Sequence, residues 1–249
     1  MEIVYEEKVV AFIDVLGFSN LVYNDKVDPI SKYYEIILTD FKKAASKNEL
    51  KFLLISDSIV VHAPLNKKDF LTVVKVLSDL QHRLLIQGIL VRGGISYGNL
   101  YVNDEDNIIV GTGMINAYNL ESKAIYPRII IDRRFIKLFW EGSTHFSRNS
   151  RRLVKLAAHT PYTQDFPFID IGRSIAFDFQ PSKFEAINNV LRENYYSNEH
   201  IEKYEWLRCA ILDGVKISLE YIKGKNEKSR NELKRIRLLT EFINEFEKN

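Results

Sequence analysis

Two aspartates lie in stretches of the sequence that are otherwise apolar. Asp14 falls within residues 12–22, FIDVLGFSNLV, and Asp57 separates the β-branched runs KFLLIS and SIVVHAP. A carboxylate that is buried without a partner costs several kcal/mol, so something must compensate each of them. Two neighbouring carboxylates also repel each other, and a divalent cation can hold both ionised. The pair therefore predicts a metal site with hard oxygen ligands, which suit Mg²⁺ or Mn²⁺.

Two metal ions that share two carboxylates can activate an attacking oxygen and clamp a leaving pyrophosphate, as in reactions of nucleoside triphosphates. Gly17, Phe18 and Ser19 directly follow Asp14, and their backbone N–H groups are candidates to bind phosphate oxygens. Taken singly, each aspartate also has a structural interpretation. Asp14 can cap the turn after its strand, and Asp57 can bond to the backbone of its own hairpin. Their joint placement favours the metal.

The first elements that must position these aspartates follow from the hydrophobic pattern. Residues 8–13 predict a strand, and residues 28–47 predict a helix opened by Asp28 with Pro29 at its first position. Residues 51–64 predict a hairpin with Asp57 at its turn. Apolar side chains at helical spacing then predict a second helix over residues 67–86.

The next predicted elements are two strands, a helix and a closing strand, over residues 89–102, 107–111, 113–124 and 127–132. The whole order is the split βαβ pattern of ferredoxin-like or palm-type folds, which belong to the α+β class. We expect one sheet with its helices on one side and both aspartates at the same end of that sheet. This arrangement defines a predicted catalytic domain over residues 1–180.

Residues 181–249 predict a C-terminal helical extension packed on the same domain. Its helical pattern divides into two or three segments, with breaks near Ser197 and Gly224.

Four sequence segments together resemble the class III nucleotidyl cyclase superfamily. They are FIDVLGFSNLV, ISDSIV, VRGGISYGNLYV and GTGMINAYNLES, which occur in the order of that family's motifs. Within the superfamily, RGGIS, AYNLE and the C-terminal helical region are similar to the Pycsar-type pyrimidine cyclases of bacterial anti-phage defence. The resemblance implies the palm-type fold and covers about residues 9–132.

The resemblance also implies roles for particular residues. Asp14 and Asp57 would bind two divalent ions, Mn²⁺ or Mg²⁺, with help from the Val15 carbonyl. Gly17, Phe18 and Ser19 would meet the triphosphate. The implied reaction is attack of the ribose 3′-hydroxyl on the α-phosphorus, which yields a 3′,5′-cyclic monophosphate and pyrophosphate. Such sites are built across a homodimer.

The sequence departs from the purine cyclases at several family positions. Leu53 stands where those enzymes carry a base-reading lysine or glutamate, and Ile115 and Asn119 stand where they carry a transition-state asparagine and arginine. Asn116 or Asn119 could instead contact the phosphate, and Arg92 could supply positive charge. Tyr118 is a candidate contact for the base or sugar, although core packing on an amphipathic helix explains it equally well.

These features lead to one main functional hypothesis and two alternatives. The first is a pyrimidine cyclase, with UTP favoured over CTP, whose product activates a separate effector protein. The second is a catalytically degenerate cyclase-fold module for nucleotide binding or dimerisation. The third is a palm-type polymerase or a purine nucleotide cyclase, which would use the same metal ions and form a different product.

Composition narrows the classes of protein further. With 249 residues, 46% hydrophobic and 27% charged, the chain is typical of a soluble globular protein. The net charge of +2 gives no general reason to expect nucleic-acid binding. The single cysteine, Cys209, excludes an internal disulfide and a thiolate metal cluster. The start of the chain resembles no signal peptide, and no run is long enough for a membrane span, so we expect a cytoplasmic location.

Overall fold

The centre of the molecule is an antiparallel sheet of four strands. The structure is a computed structural model, and it describes residues 3–140, 154–155, 166–177, 180–195 and 201–248. The four strands are β1 (Glu6–Val15), β2 (Lys51–Ile55), β3 (Ser58–Pro64) and β4 (Val91–Asn103). Their spatial order, β2-β3-β1-β4, is that of a split βαβ unit, so the predicted α+β fold is confirmed.

Four shorter strands extend this sheet. They are β5 (Ile108–Val110), β6 (Ile129–Ile131), β7 (Val154–Lys155) and β8 (Phe168–Ile169). Strand β6 pairs in parallel with β4, β8 and β7 continue the sheet beyond it, and β5 folds back on the far end of β4.

The described helices cover both faces of the sheet. The helices before β6 are α1 (Phe18–Tyr23), α2 (Val27–Ile36), α3 (Lys42–Lys47), α4 (Lys67–Ile86) and α5 (Thr112–Glu121). The later ones are α6 (Arg134–Trp140), α7 (Ile171–Phe177), α8 (Pro181–Tyr195), α9 (Ile201–Lys223) and α10 (Arg230–Lys248). None of these described helices combines the length and the apolar composition needed to span a membrane.

Alternation along β1 divides its side chains between two cores. Val9, Ala11 and Ile13 join the larger core with α2 and α4, whereas Val10 and Phe12 join a smaller core with α5. The expectation that the helices lie on one side of the sheet is therefore wrong. The helix α5 lies on the opposite face, because the intervening residues of each strand also bury apolar side chains there.

The predicted first helix also differs from the structure in its details. It begins at Val27 rather than at Asp28, which lies in the first turn, and a π-helical turn at Ile37–Phe41 separates α2 from α3. The short helix α1 was not predicted, because six residues are too few to show a clear helical period. The predicted break near Ser197 lies outside the described residues.

Glycines allow α5 to pack unusually close to β4. A Cβ added at Gly94 would lie 2.5 Å from the carbonyl oxygen of Ala117 and 2.5 Å from Leu120 Cβ. A Cβ added at Gly98 would lie 2.8 Å from the backbone nitrogen of Gly113. These contacts place the start of α5 beside Gly98 and its end beside Gly94, so α5 runs antiparallel to β4.

The C-terminal helices pack against the edge of the sheet through a third apolar core. This core joins Trp206 and Leu207 of α9 to Leu90, Leu120 and other residues of the first half of the chain. Beside it lies Arg128, which is 1% exposed and whose guanidinium has no hydrogen-bond acceptor among the described residues. Its charge faces three aromatic rings at 5.7–5.9 Å, those of Tyr126, Phe168 and Trp206. Cation–π attraction therefore contributes to holding α9 on the sheet.

We expect Gly94→Ala to lower the free energy of unfolding by about 1–3 kcal/mol, because the new methyl group would force α5 away from β4. The measurement is denaturant unfolding followed by circular dichroism. Gly224→Ala is the matched control: its added Cβ would come no closer than 3.4 Å to its neighbours, so a change within about 0.5 kcal/mol is expected. Equal effects of the two substitutions would show that the close approach at Gly94 is not structurally required.

Candidate metal centre

Asp14 lies near the end of β1, beside polar side chains of both neighbouring strands. It pairs across the strands with Arg92 of β4, and the hydroxyl of Ser58 on β3 donates a hydrogen bond to Asp14 Oδ1 at 3.2 Å. Its side chain is 21% exposed, whereas the neighbouring Ile13 and Val15 are buried in the larger core. The Asp14 side chain is thus partly open to solvent at the end of the sheet.

Asp57 reaches the same end of the sheet through the turn between β2 and β3. Ser56, which precedes it, has a left-handed backbone with φ of 54°. Two tyrosines of α2 hold this turn: the hydroxyl of Tyr33 donates to the Asp57 carbonyl at 2.9 Å, and that of Tyr34 donates to the Ser56 carbonyl at 3.2 Å. The sequence does not predict the contacts of these two tyrosines, which lie in a predicted helix without any further signal.

The electrostatics of Asp14 show that the two carboxylates influence each other. Burial raises the pKa of Asp14, and the negative charge of Asp57 raises it further, whereas Ser58 and Arg92 lower it. The predicted topology places both aspartates at one end of the sheet, and the structure brings them together there. An added cation would relieve the repulsion between them.

The donor set fits a hard divalent ion that completes its coordination with other oxygens. Among the described residues, no group of three or more His, Cys, Asp and Glu side chains is arranged to hold a metal by itself. Mg²⁺ and similar ions are commonly bound by one or two carboxylates together with substrate phosphates. Asp14 and Asp57 match that mode, and the role of the Val15 carbonyl as a further ligand stays a prediction.

A second carboxylate near Asp14 was missed in the sequence. Glu121, at the end of α5, is almost fully buried, with its side chain 4% exposed, and forms a short ion pair with Arg92 Nε. Burial raises the pKa of Glu121, while the charge of Arg92 lowers it. Arg92 Nη2 also lies 3.5 Å from Asp14 Oδ2, so one guanidinium spans both acids. Nothing in the local sequence signals this contact, because Glu121 lies 29 positions after Arg92 in the chain.

The chain turns sharply after β1, at the three residues that are candidates to contact phosphate. Gly17 has a φ of 78°, which favours glycine, and its carbonyl accepts the backbone N–H of Asn20 at the start of α1. The Phe18 ring is buried and packs edge-on against Tyr33 with ring centroids 6.0 Å apart, so only its backbone N–H is a candidate for phosphate contact. Ser19 is exposed beside it.

The candidate base contacts lie on the α5 face of the sheet. Leu53 pairs with Val60, which in turn pairs with Phe12, so the three side chains form one row. The ring of Tyr118 meets that of Phe12 edge-on, with centroids 5.4 Å apart, and half of the tyrosine is exposed.

The two candidate asparagines of α5 are not brought to Asp14 within the same chain. The Asn116 amide donates to the carbonyl of Tyr97 at 3.2 Å. Tyr97 lies five positions along β4 from Arg92, a separation of about 17 Å along a strand. Asn119 is exposed on the outer side of α5. Their predicted catalytic roles therefore require another chain to approach this helix.

Comparison with known proteins identifies similar folds only at low identity. No family model and no curated protein matches the sequence. The chain is similar to the crystal structure of the guanylyl cyclase Cya2, with 15% identity and a TM-score of 0.49, over 68% of this chain and 92% of that one. It is similar to the adenylyl cyclase CyaB from P. aeruginosa, with 19% identity and a TM-score of 0.47, over 68% of this chain and 94% of that one.

A third solved structure with a similar fold is the catalytic core of a rhodopsin-guanylyl cyclase with converted specificity. Its identity to this chain is 16% and the TM-score is 0.47, over 66% of this chain and 94% of that one.

Removal of the Tyr33 hydroxyl tests how the Asp57 turn is held. We expect Tyr33→Phe to lower the free energy of unfolding by about 1–3 kcal/mol, because a part-buried carbonyl loses its donor. Tyr34→Phe is the matched control, since its hydroxyl is more exposed and water can replace it, and its effect should stay below about 1 kcal/mol. Urea unfolding of the two variants measures the difference. If Tyr33→Phe costs no more than Tyr34→Phe, the turn is held by other contacts.

The raised pKa of Asp14 predicts a pH-dependent cost to stability. The folded state binds this proton more tightly than the unfolded chain, whose Asp pKa is near 3.8, so the contribution of neutral Asp14 is lost as pH rises through the raised value. We expect metal-free Asp14→Asn to become more stable than the natural protein as pH rises. Thermal unfolding in EDTA across a pH series measures this, with Glu35→Gln as an exposed control. A stability difference that is flat with pH would contradict the raised pKa.

Proposed function

We propose that this protein is a metal-dependent nucleotidyl cyclase that acts on a pyrimidine nucleoside triphosphate, with UTP favoured over CTP. The observation that carries the proposal is the meeting of Asp14 and Asp57, from β1 and from the β2–β3 turn, at one end of a split βαβ sheet. The four sequence motifs in their family order support the same reaction. A carboxylate pair of this kind, kept at a cost to stability, is typical of a functional site.

In the proposed reaction, the ribose 3′-oxygen forms a bond to the α-phosphorus and the bond from that phosphorus to the pyrophosphate oxygen breaks. The 3′-hydroxyl proton passes to solvent, and the products are a 3′,5′-cyclic monophosphate and pyrophosphate. Two Mn²⁺ or Mg²⁺ ions bound at Asp14 and Asp57 would activate the 3′-oxygen and neutralise the phosphates. The residues of the chain would orient the substrate, with the backbone N–H groups of residues 17–19 as the contacts for the triphosphate.

The base contacts that we propose favour a pyrimidine. The Leu53 side chain cannot form a hydrogen bond. The hydrogen bond to a purine base that the purine cyclases make from this position is therefore missing. A binding site selects strongly for a base with particular polar groups only when the site's own polar groups would lack hydrogen-bond partners with any other base. The row formed by Leu53, Val60 and Phe12, with the half-exposed Tyr118 ring, provides an apolar surface on which a small base can stack.

The proposed active form is a homodimer. Asn119 and Tyr118 are exposed on α5, as is Ile115, and within one chain the Asn116 amide is turned to the far end of β4. Asn116 and Asn119 can contribute to a site only on a second copy of the chain, which agrees with the arrangement that the family resemblance implies. We propose that the cyclic product then acts as a second messenger for a separate effector protein in anti-phage defence, on the basis of the Pycsar-type motifs.

One observation favours an alternative. Ile115 and Asn119 occupy the positions of the family's transition-state asparagine and arginine, which is the pattern expected of a nucleotide-binding or dimerisation module that has lost turnover.

The test is incubation of the purified protein with Mn²⁺ and each of the four ribonucleoside triphosphates, followed by mass spectrometry of the products. We expect cyclic UMP, or cyclic CMP, and a loss of about a hundredfold or more in Asp57→Asn, because the metal ions lose a ligand. Asp28→Asn, an exposed position in the first turn of α2, is the control and should keep full activity.

The possible results separate the three hypotheses. Cyclic AMP or cyclic GMP as the product would show that the pyrimidine assignment is wrong. Binding of triphosphate without its consumption would favour the degenerate module.

A further inference from the structure

Arg92 forms ion pairs with both the candidate metal ligand Asp14 and the buried Glu121, and the two pairs differ in length. Its Nε forms the short ion pair with Glu121, whereas its Nη2 lies 3.5 Å from Asp14 Oδ2. Both contacts are ion pairs without hydrogen-bond geometry, and the pair with Asp14 is the longer of the two. The guanidinium is thus anchored at Glu121 and only weakly engaged at Asp14.

The anchor is fixed by the packing of α5. A Cβ at Gly94 would lie 2.7 Å from the Glu121 backbone nitrogen, so the end of the helix rests directly on β4 beside Arg92. With its side chain 4% exposed, Glu121 would be an uncompensated buried charge without the guanidinium. Because leaving Glu121 without its counter-ion is costly, we expect Arg92 to stay beside Glu121 when its interaction with Asp14 is lost.

We infer that Arg92 is a resident counter-ion of Asp14 that a divalent cation must displace, and that Glu121 holds the displaced guanidinium. The inference rests on the proposed function, because it assigns a role toward the metal ions of that same site. In the metal-free protein Arg92 offsets the charge of Asp14. When a cation binds Asp14, like charges repel and the guanidinium keeps its pair with Glu121. Glu121 then sets metal affinity without touching the metal, as a positioning residue.

The inference makes opposite predictions for two substitutions. In Glu121→Gln the guanidinium keeps Asp14 as its one ion-pair partner among the described residues. Mn²⁺ should therefore bind roughly fivefold more weakly, which corresponds to the free energy of a partly exposed ion pair. In the double variant R92Q/E121Q the competing cation is removed, and Mn²⁺ should bind roughly fivefold more tightly. The double variant removes one positive and one negative charge, so a general electrostatic effect predicts no change in it.

The experiment is Mn²⁺ titration of the full chain, without nucleotide, followed by electron paramagnetic resonance of the free ion. Thermal unfolding of each variant shows whether it is folded. Asp57→Asn is included as the control for the site itself, and its Mn²⁺ binding should be lost. Should the double variant not fold, Glu121→Gln alone decides, since an affinity equal to that of the natural protein would overturn the inference.

The outcomes separate this inference from the proposed function. If the natural protein and Asp57→Asn bind Mn²⁺ equally well, the metal site and both proposals are wrong. If neither binds it without nucleotide, the inference is overturned, whereas the proposed function, in which substrate phosphates complete the site, stands. If Asp57→Asn loses Mn²⁺ but R92Q/E121Q binds it with unchanged or weaker affinity, the metal site stands and Arg92 is not a displaced counter-ion. Tighter binding in the double variant and weaker binding in Glu121→Gln would support the inference.

Discussion

The repulsion between the carboxylates of Asp14 and Asp57 is the constraint that the surrounding structure has to meet. One acid comes from an inner strand and the other from a hairpin turn, so strand pairing fixes the backbone positions from which both carboxylates extend. Ser58 and Arg92 offset part of the unfavourable charge of Asp14, and the two tyrosines of α2 hold the turn that carries Asp57. The fold is thus arranged to keep two like charges together, which is a cost to stability that a bound cation would relieve.

The close contact of α5 with β4 connects this site to the opposite face of the sheet. Gly94, Gly98 and Gly113 remove the side chains that would separate the helix from the strand. The result is that Glu121 reaches the end of the sheet where Asp14 lies, while Tyr118 and Asn119 stay on the outer surface. One short helix therefore supplies a buried charge to its own site and an exposed polar face to any neighbour.

The C-terminal helices reach the same region from the edge of the sheet. Leu16, directly after the strand that carries Asp14, packs against the core they form, and the Gly93 backbone nitrogen donates to the Arg128 carbonyl. Arg128 in turn lies among the rings that include Trp206 of α9. Displacement of α9 would therefore expose a buried cation close to the strand that carries Arg92. The C-terminal helices thus share an apolar core with residues next to the strands that carry Asp14 and Arg92.

Much of this arrangement was determined by local sequence. The alternation in β1, the helical spacing in α4 and the hairpin around Asp57 each follow from side chains that are neighbours in the chain. Once the order of elements is known, the split βαβ topology brings the two aspartates together. The end of β1, which carries Asp14, lies beside the start of its antiparallel neighbour β3, which Asp57 precedes. The tertiary structure alone decided the face on which α5 packs, the tyrosine hydroxyls that hold the Asp57 turn, and the guanidinium between Asp14 and Glu121. The tyrosine and guanidinium contacts join residues 22 to 78 positions apart. Their geometry depends on how closely the packed elements approach each other, and the periodicity of the local sequence contains no information about that approach.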